Sequence, residues 1–297
     1  MEANFKYDYS KLKKRPSYPF ETIAVAISFS PRMEAVLCET KRMVENYKSN
    51  LILIHIGERN TEKEDVLDTN LKKANIDKEK CRIIWMDGDA TDLILKICKL
   101  NIVDLLIMGA IEKENLFKYY VGTIARTISR RAKCSVLLLT HPSVQPKPFR
   151  KLVVNGIDNP KTIHSLKTAM YVAKAESSKE VAIIQEVNMP ALTMTIAESS
   201  TAPEASKIKK DMVQEESIKL ANMVETLDKT GIEVAIKSVN GKPGYAIGNY
   251  ARSKNADLLI FNSPDTHLGI FDRIFTHDIE YVLADIPCNL LIVHSRV

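Results

Sequence analysis

Short apolar runs alternate along the chain with stretches whose apolar residues recur at helical spacing. The runs contain few polar residues, which is typical of parallel strands that are covered on both faces. Such alternation predicts an α/β fold in which helices lie on both sides of a parallel sheet. In the N-terminal half the predicted strands lie near Thr22–Ser28, Leu51–Ile56, Arg82–Trp85, Asp104–Met108 and Ser135–Thr140.

The pattern of runs occurs twice. The sequence DLLIMG at Asp104–Gly109 returns as DLLIFN at Asp257–Asn262, and the apolar run after Cys134 returns after Cys288. Self-similarity over this length indicates a repeated unit. The sequence therefore predicts two tandem doubly wound parallel-sheet domains, although a chain of 297 residues also leaves room for one large domain.

The repeat sets the predicted domain boundaries. Residues 1–19 form an N-terminal extension, residues 20–142 the first domain (the first half) and residues 151–297 the second domain (the second half). Residues 143–150 are predicted to be a linker, because their prolines interrupt any helix.

The second half is longer than the first. Its extra residues lie around Met189–Asp211, and a helix is predicted to begin near Lys207. Its apolar residues recur at helical spacing, which favours an amphipathic surface helix over a membrane anchor. They are Met212, Val213, Ile218, Leu220 and Val224.

Composition and charge narrow the class of protein. The net charge of +5 is small, and basic and acidic residues are interspersed, which argues against a dedicated nucleic-acid binder. The N-terminus has no apolar signal region, and no apolar run approaches the roughly 18 residues of a membrane span. We therefore expect a cytoplasmic protein with no membrane partner.

Neither a disulfide framework nor a metal site is predicted. The five cysteines form no C-x-x-C pair and fall in apolar segments, which indicates buried thiols. His267 and His277 lie near several aspartates, but their spacing does not place them on one helix face, so we expect no metal there.

No catalytic residue is predicted either. The chain has no G-x-S-x-G elbow, and its six histidines are scattered, so nucleophilic catalysis has no candidate set. An enzyme is therefore the less favoured interpretation.

Two glycines frame the loop that follows the fourth predicted strand. Gly109 ends that strand, and Gly122 opens the last helix of the first half. In an open parallel sheet this edge is where phosphates meet free backbone N–H groups, here those of Thr123 and Ile124. A purely structural role in turns remains equally open from these residues alone.

With these residues the chain resembles the universal stress protein family. ATP-binding members of the family carry G-x-x-G, nine residues, then G-[S/T], and Gly109, Gly122 and Thr123 match this motif with its spacing. The resemblance covers nearly the whole chain after about Pro19 and implies Rossmann-like domains of the adenine nucleotide α-hydrolase type. It also implies ATP or another adenine nucleotide, with Mg²⁺, as ligand. The implied site residues are Ser28, Met108, Gly109, Glu112, Gly122, Thr123 and Ile124.

The chain departs from the family motif at two first-half positions. Glu112 replaces the middle glycine, so its carboxylate would repel a triphosphate unless Lys113, Lys118 or a divalent cation offsets it. Ser28 replaces the aspartate that contacts the nucleoside in ATP-binding members. Phe117, Tyr119 and Tyr120 in the same loop are expected to pack on the protein rather than stack a base.

The second half departs further, and we expect it to bind no ATP in the manner of the family. Its glycines are missing, and Ile157 stands where the family has the first-strand aspartate. The residues at the four motif positions are Asn262, Asp265, Thr276 and His277.

The resemblance also implies self-association. In the family the last strands of two domains pair across a two-fold axis, which here would join Ser135–Thr140 to Asn289–His294 as an intramolecular pseudo-dimer. Covering these edges gives a physical reason for the duplication, and a homodimer remains open.

The favoured hypothesis is a cytoplasmic stress-response protein that acts by binding a ligand or a protein partner. One alternative is a structural adaptor without nucleotide binding, which recruits a partner through the extra residues of the second half. A less favoured one is an ATP-hydrolysing enzyme. It would need a phosphate-binding S-G-G-x-D-S-like loop after the first strand, which Ser28–Pro31 does not provide.

Overall fold

The computed structural model describes residues 16–113, 118–120, 122–187, 202–263 and 278–294. The chain divides into two compact units, and the main boundary lies between Lys147 and Pro148. Of the described residues, 113 and 118–120 group with the second unit, and 291–294 with the first. Residues 141–150 contain no helix or strand.

The first half forms one parallel five-stranded sheet. Its strand order is β7-β4-β1-β2-β3, and each neighbouring pair is parallel. Two further short strands, β5 and β6, pair separately. The elements are β1 (Thr22–Ala26), α1 (Met33–Tyr47), β2 (Asn50–Ile56), α2 (Thr61–Lys73), β3 (Cys81–Met86), α3 (Ala90–Leu100), β4 (Leu105–Gly109), β5 (Ile111–Lys113), β6 (Lys118–Tyr120), α4 (Thr123–Arg131) and β7 (Ser135–Leu139).

The second half repeats this order as β10-β9-β8-β11-β12, which confirms the predicted tandem doubly wound α/β fold. The helices again alternate with the strands. The elements are β8 (Lys151–Asn155), α5 (Thr162–Ala175), β9 (Glu180–Val187), α6 (Ala202–Glu225), β10 (Glu233–Asn240), α7 (Tyr245–Ser253), β11 (Leu258–Asn262), α8 (Asp278–Ala284) and β12 (Asn289–Val293).

The strand order reverses direction beside the first strand of each half. β2 and β3 lie on one side of β1, while β4 and β7 lie on the other. At such a switch point the two flanking loops diverge and leave a crevice at the carboxyl ends of the strands. The loops after β1 and β4 therefore frame the crevice of the first half, and those after β8 and β11 frame that of the second.

The repeated sequence DLLI has a structural cause. The Asp104 carboxylate accepts a hydrogen bond from the Thr22 N–H at 2.8 Å, and Asp257 accepts bonds from Arg150 and Lys151 at 2.8 Å each. The aspartate thus ties the start of the fourth strand to the start of the first in both halves. The apolar residues that follow it, such as Leu106, are buried in the sheet.

The repeated glycine turns also have the same geometry. Gly88 and Gly241 have φ angles of 139° and 151°, which side chains rarely adopt. A Cβ atom at Gly88 would lie 3.1 Å from Leu93 Cδ1, and one at Gly241 would lie 3.0 Å from Ala246 Cβ. Each turn therefore requires glycine.

Two boundaries differ from the prediction. β1 ends at Ala26 rather than at Ser28, because the chain turns there toward Pro31. The long helix α6 begins at Ala202 rather than near Lys207, and residues 188–201 of the predicted insertion lie outside the described residues.

The predicted apolar face of α6 is only partly buried. Leu220 and Val224 are buried, whereas Met212 and Ile218 are 44% and 53% exposed. The spacing of the apolar residues therefore marked two faces of this helix, of which one packs on the sheet.

The cysteines carry free thiols. Cys98, Cys134 and Cys288 are buried as predicted, but Cys38 and Cys81 are only half-buried. Burial raises the pKa of the Cys288 thiol to about 12. Within the described ranges, no helix has the length and apolar character that crossing a membrane requires.

Candidate functional site

The carboxyl end of β4 is open in the first half. Gly109 is exposed, whereas the neighbouring Met108 points into the core and is 7% exposed. Among the described residues, a Cβ atom placed on Gly109 would meet only Val36 Cγ2, at 4.0 Å. The backbone of β4 is thus accessible at Gly109, whereas the side chain of Met108 is buried.

The first turn of α4 presents unpaired donors. Gly122 is the N-cap residue, and it has no side chain with which to satisfy the first N–H groups of the helix. Within the described part of the chain, the backbone N–H groups of Thr123 and Ile124 have no acceptor. Thr123 is exposed, and the Ile124 side chain is 46% exposed. These donors and the helix dipole favour an anion at this end of α4.

Ser28 lies in the turn that follows β1. Its side chain is exposed, and its hydroxyl lies 3.5 Å from the Ser30 hydroxyl. The Ser30 N–H donates to the Ser28 carbonyl oxygen at 2.8 Å, which tightens the turn. Ser28 therefore lies just beyond the carboxyl end of β1, the strand that pairs with β4.

An aromatic cluster holds the turn after β1 in position. The Phe29 ring lies edge-on to His55 at 4.8 Å between centroids and 5.7 Å from Trp85. His55 Nδ1 lies 3.1 Å from the Ile27 carbonyl oxygen, an arrangement in which Nδ1 carries the proton. The cluster spans the carboxyl ends of β1, β2 and β3, and sequence reasoning missed it because its members are far apart in the chain.

Arg32 is a second residue that sequence reasoning missed. Its guanidinium group donates to the carbonyl oxygen of Ala110, at 2.8 Å, and to that of Thr140. These carbonyls follow β4 and β7, so one side chain joins the ends of two neighbouring strands. Arg32 is also the residue that precedes α1, and the motif comparison gave it no role.

The remaining predicted site residue, Glu112, lies in β5. Its side chain lies outside the described residues, as do those of Tyr119 and Tyr120, and Phe117 is also outside them. The structure thus brings Ser28, Gly109 and the start of α4 to the crevice edge of the first half, with Met108 just behind.

The corresponding strand end in the second half is closed. Asn262 stands where the first half has Gly109, and its side-chain amide donates to the Thr162 hydroxyl at 3.0 Å. The Ser165 hydroxyl donates to the amide oxygen of the same side chain. Asn262 is therefore bonded to α5, and its atoms lie over the strand end. Asp265, Thr276 and His277, the other motif positions, lie outside the described residues.

The helix α6 covers the neighbouring edge of the second half. A Cβ atom on Gly156 would lie only 2.9 Å from both Leu220 Cδ2 and Ile183 Cγ2, so the helix packs directly on the backbone after β8. The Ser217 hydroxyl donates to Gln185 at 2.7 Å. Protein atoms thus fill this edge beside Ile157.

A surface ion pair also joins α6 to the loop after β8. Lys219 Nζ lies 3.4 Å from the Asp158 carboxylate. Asp158 directly follows Ile157, which stands at the position of the family's first-strand aspartate. Its carboxylate faces a lysine of α6.

Two carboxyl groups of the second half have raised pKa values. Burial raises the pKa of Glu186, and the backbone N–H groups of Gly244 and Ile247, which donate to it at 2.8–3.0 Å, partly oppose this rise. Burial also raises the pKa of Glu216. Glu186 occupies the N-terminus of α7, so this helix start is already filled by a carboxylate of the protein.

No metal centre is present in the described parts of the chain, where no three His, Cys, Asp or Glu side chains are grouped closely enough to hold an ion. His267 and His277 lie outside those parts.

Comparison with known proteins agrees with the fold. A family model described as the universal stress protein family matches residues 57–140 and 159–294, which is more than half of the chain. A putative universal stress protein from Pseudomonas aeruginosa UCBPP-PA14 has a TM-score of 0.66 at 13% identity, covering 96% of this chain and 95% of its own. A universal stress protein from Archaeoglobus fulgidus DSM 4304 has a TM-score of 0.65 at 17% identity, covering 94% and 100%.

Identities at this level show the shared fold and do not specify a ligand. No curated protein matches the sequence significantly. The two matched segments fall in the two halves that the structure shows to share one strand order. The chain belongs to the universal stress protein family.

Proposed function

We propose that this universal stress protein acts in the cytoplasm by binding rather than by turnover, and that its first half binds an adenine nucleotide. ATP with Mg²⁺ is the expected ligand. The proposal is carried by one observation, the open strand end at Gly109.

Nothing within the described protein requires glycine at position 109. Its φ angle lies outside the left-handed region, and a Cβ atom would meet no neighbour closer than 4.0 Å. A glycine in a strand costs conformational entropy on folding compared with alanine. An external group that approaches the backbone closely would explain why the chain has no side chain here.

The start of α4 supports the same ligand chemistry. Its unpaired N–H groups and its dipole favour a negatively charged group, and the Thr123 hydroxyl is an additional donor. Gly109 and Gly122 would thus receive the phosphates, with Thr123 and Ile124 donating to them. Mg²⁺ would be held mainly by the phosphates, as is usual for this ion. A role for Glu112 remains a prediction.

Thermal unfolding with and without Mg-ATP tests the proposal. A ligand at 100 times its dissociation constant stabilises a protein by about 2.7 kcal/mol. We expect a corresponding rise in the midpoint of the wild type. Gly109→Val should remove most of this rise, because its methyl groups would occupy the space of a phosphate, and should leave the midpoint without ligand nearly unchanged.

A matched control lies in the second half. Gly248 lies in α7, and a Cβ atom there would meet no atom of the described residues within 4 Å. Gly248→Ala should therefore keep the full response to Mg-ATP. A wild type that does not respond, or a Gly109→Val variant that responds as strongly as the wild type, would contradict the proposal.

The structural adaptor remains a second candidate because of the exposed side chains of Met212 and Ile218 on α6. A protein partner would cover such apolar groups. This function would be favoured if no nucleotide stabilised the protein and a purified complex were lost in the double variant Met212→Ser, Ile218→Ser. Phosphate release on mixing with ATP would instead favour an enzyme.

The pairing of Ser135–Thr140 with Asn289–His294 remains a prediction, as does a homodimer. Sedimentation of the purified chain at several concentrations would separate a monomeric pseudo-dimer from a dimer of two chains.

A further inference from the structure

Arg32 joins two strand ends beside the proposed phosphate site. Its Nη1 atom lies 2.8 Å from the Ala110 carbonyl oxygen, and its Nη2 atom donates to the Thr140 carbonyl oxygen. Ala110 directly follows Gly109. The contact therefore acts on the peptide next to the open strand end.

The guanidinium group suits this position. Its planar fork presents parallel donors at a fixed spacing, whereas the ammonium group of a lysine is a single point charge on a flexible stem. The Ala110 N–H donates to the Leu139 carbonyl oxygen at 2.8 Å, so both sides of this residue are bonded. Arg32 and β7 together fix the direction in which the chain leaves Gly109.

Arg32 also changes the charge at this edge. Glu112, two residues after Ala110, brings a negative charge to a loop that the proposed function assigns to a phosphate chain. Arg32 brings a positive guanidinium group to the same edge. Its charge next to Gly109 opposes the repulsion between Glu112 and an anionic ligand.

We infer that Arg32 is a positioning residue of the first-half site, which holds the end of β4 in place and supplies positive charge beside an anionic ligand. The inference rests on the proposed nucleotide binding. In the second half Lys161 takes the place before α5 that Arg32 takes before α1. At this position the half in which Asn262 closes the strand end therefore has no guanidinium fork.

Titration calorimetry with Mg-ATP at two salt concentrations tests the inference, using Arg32→Lys, Arg32→Met and a control. Arg32→Met should weaken binding by about tenfold and reduce its dependence on salt, because a charge near the ligand is lost. Arg32→Lys should keep the salt dependence and lose about threefold in affinity, because it keeps the charge without the fork. The control Arg82→Met removes an exposed arginine that bonds to Asn101, and should change neither quantity.

Amide exchange without nucleotide gives a readout that does not depend on binding. In Arg32→Met the Ala110 amide should exchange about tenfold faster, because its strand end is freed locally. The Ile27 amide, bonded to the Ile54 carbonyl oxygen at 2.9 Å, should not change.

The outcomes separate the two proposals. If the wild type does not bind Mg-ATP, the proposed function fails and the charge role of Arg32 fails with it, while exchange at Ala110 still decides whether Arg32 holds the end of β4. Unchanged exchange at Ala110 in Arg32→Met would overturn the inference. Equal affinity and equal salt dependence in wild type and Arg32→Met would also overturn it, even if nucleotide binding itself were established.

Discussion

The two halves share a strand order but differ at the carboxyl ends of their strands. In the first half Gly109 leaves the end of β4 open, and in the second half Asn262 is hydrogen-bonded to α5 across the same place. The buried strands before these residues are nearly identical in character. The apolar core thus preserves the fold in both halves, while the residue that ends the fourth strand is exposed in the first half and hydrogen-bonded to a helix in the second.

The neighbouring edge shows the same divergence. The first half carries an aromatic cluster after β1, β2 and β3, and the second half carries polar residues, two of which bond to α6. The corresponding residues of the two halves are Phe29 and Asp158, His55 and Gln185, and Trp85 and Ser238. The strand registers align the second and third of these pairs directly, and the sequence repeat aligns the first pair.

Of the substitutions that test this comparison, one at Gly156 is expected to have the largest effect on stability. Gly156 corresponds to Ile27 of the first half, because the backbone N–H of each residue donates to the equivalent carbonyl oxygen of the neighbouring strand. Gly156→Val would place its Cβ atom 2.9 Å from Leu220 and Ile183 side-chain atoms. We expect a loss of about 3 kcal/mol in the free energy of unfolding, because the core is overpacked.

Urea unfolding of Gly156→Val measures this loss, and Gly109→Val is the matched change in the first half. The latter should alter the unfolding free energy by less than about 0.5 kcal/mol, because it adds exposed groups. Equal losses for the two variants would mean that α6 does not pack on the second-half edge as described.

Much of the fold was predictable because it depends on local pattern. The apolar runs predicted the strands, and the repeated aspartate and glycine positions predicted how the two halves correspond. The strand end at Ala26 was missed, because Ile27 and Ser28 continue the pattern of the strand after its pairing has changed into a turn. Periodicity also failed to show that Met212 and Ile218 lie away from the sheet.

The candidate site was predictable only where a glycine marked it. Gly109 and Gly122 are visible because glycine is rare in this chain and stands at element ends. Arg32 was not visible, because it contacts Ala110 and Thr140 across 78 and 108 residues of sequence. Long-range contacts of this kind leave no periodic signal.

A smaller effect is expected when the closed strand end is opened. Asn262→Gly removes the bonds to Thr162 and Ser165 and leaves their hydroxyls without this partner. We expect a loss of about 2 kcal/mol in the free energy of unfolding, since each lost side-chain bond costs about 1 kcal/mol.

The response of Asn262→Gly to Mg-ATP tests whether opening this strand end is enough to create a nucleotide site in the second half. We expect no new stabilisation, because α6 still fills the neighbouring edge through Leu220 and Ser217. A second nucleotide site in titration calorimetry of Asn262→Gly would show that Asn262 alone separates the two halves. That result would contradict the role assigned to α6.

The smallest effect concerns the start of α7. There Glu186 bonds to the N–H groups of Gly244 and Ile247, whereas in the first half the exposed Asp89 caps α3 through the Asp92 N–H at 2.8 Å. Burial raises the folded-state pKa of Glu186 above its ordinary value of 4.5. The protonated form is therefore favoured in the folded state, and stability from this group is present below pH 4.5 and is lost as the pH rises through the folded pKa.

Glu186→Gln removes this titration and keeps one oxygen as an acceptor for the helix N–H groups. Relative to wild type, the unfolding free energy of the variant should rise as the pH increases from 4.5 towards neutrality. Urea unfolding at several pH values measures the difference. If the unfolding free energy of wild type instead rose relative to that of the variant over this pH range, the hydrogen bonds from Gly244 and Ile247 would outweigh burial. The start of α7 would then attract negative charge, as the start of α4 is proposed to do.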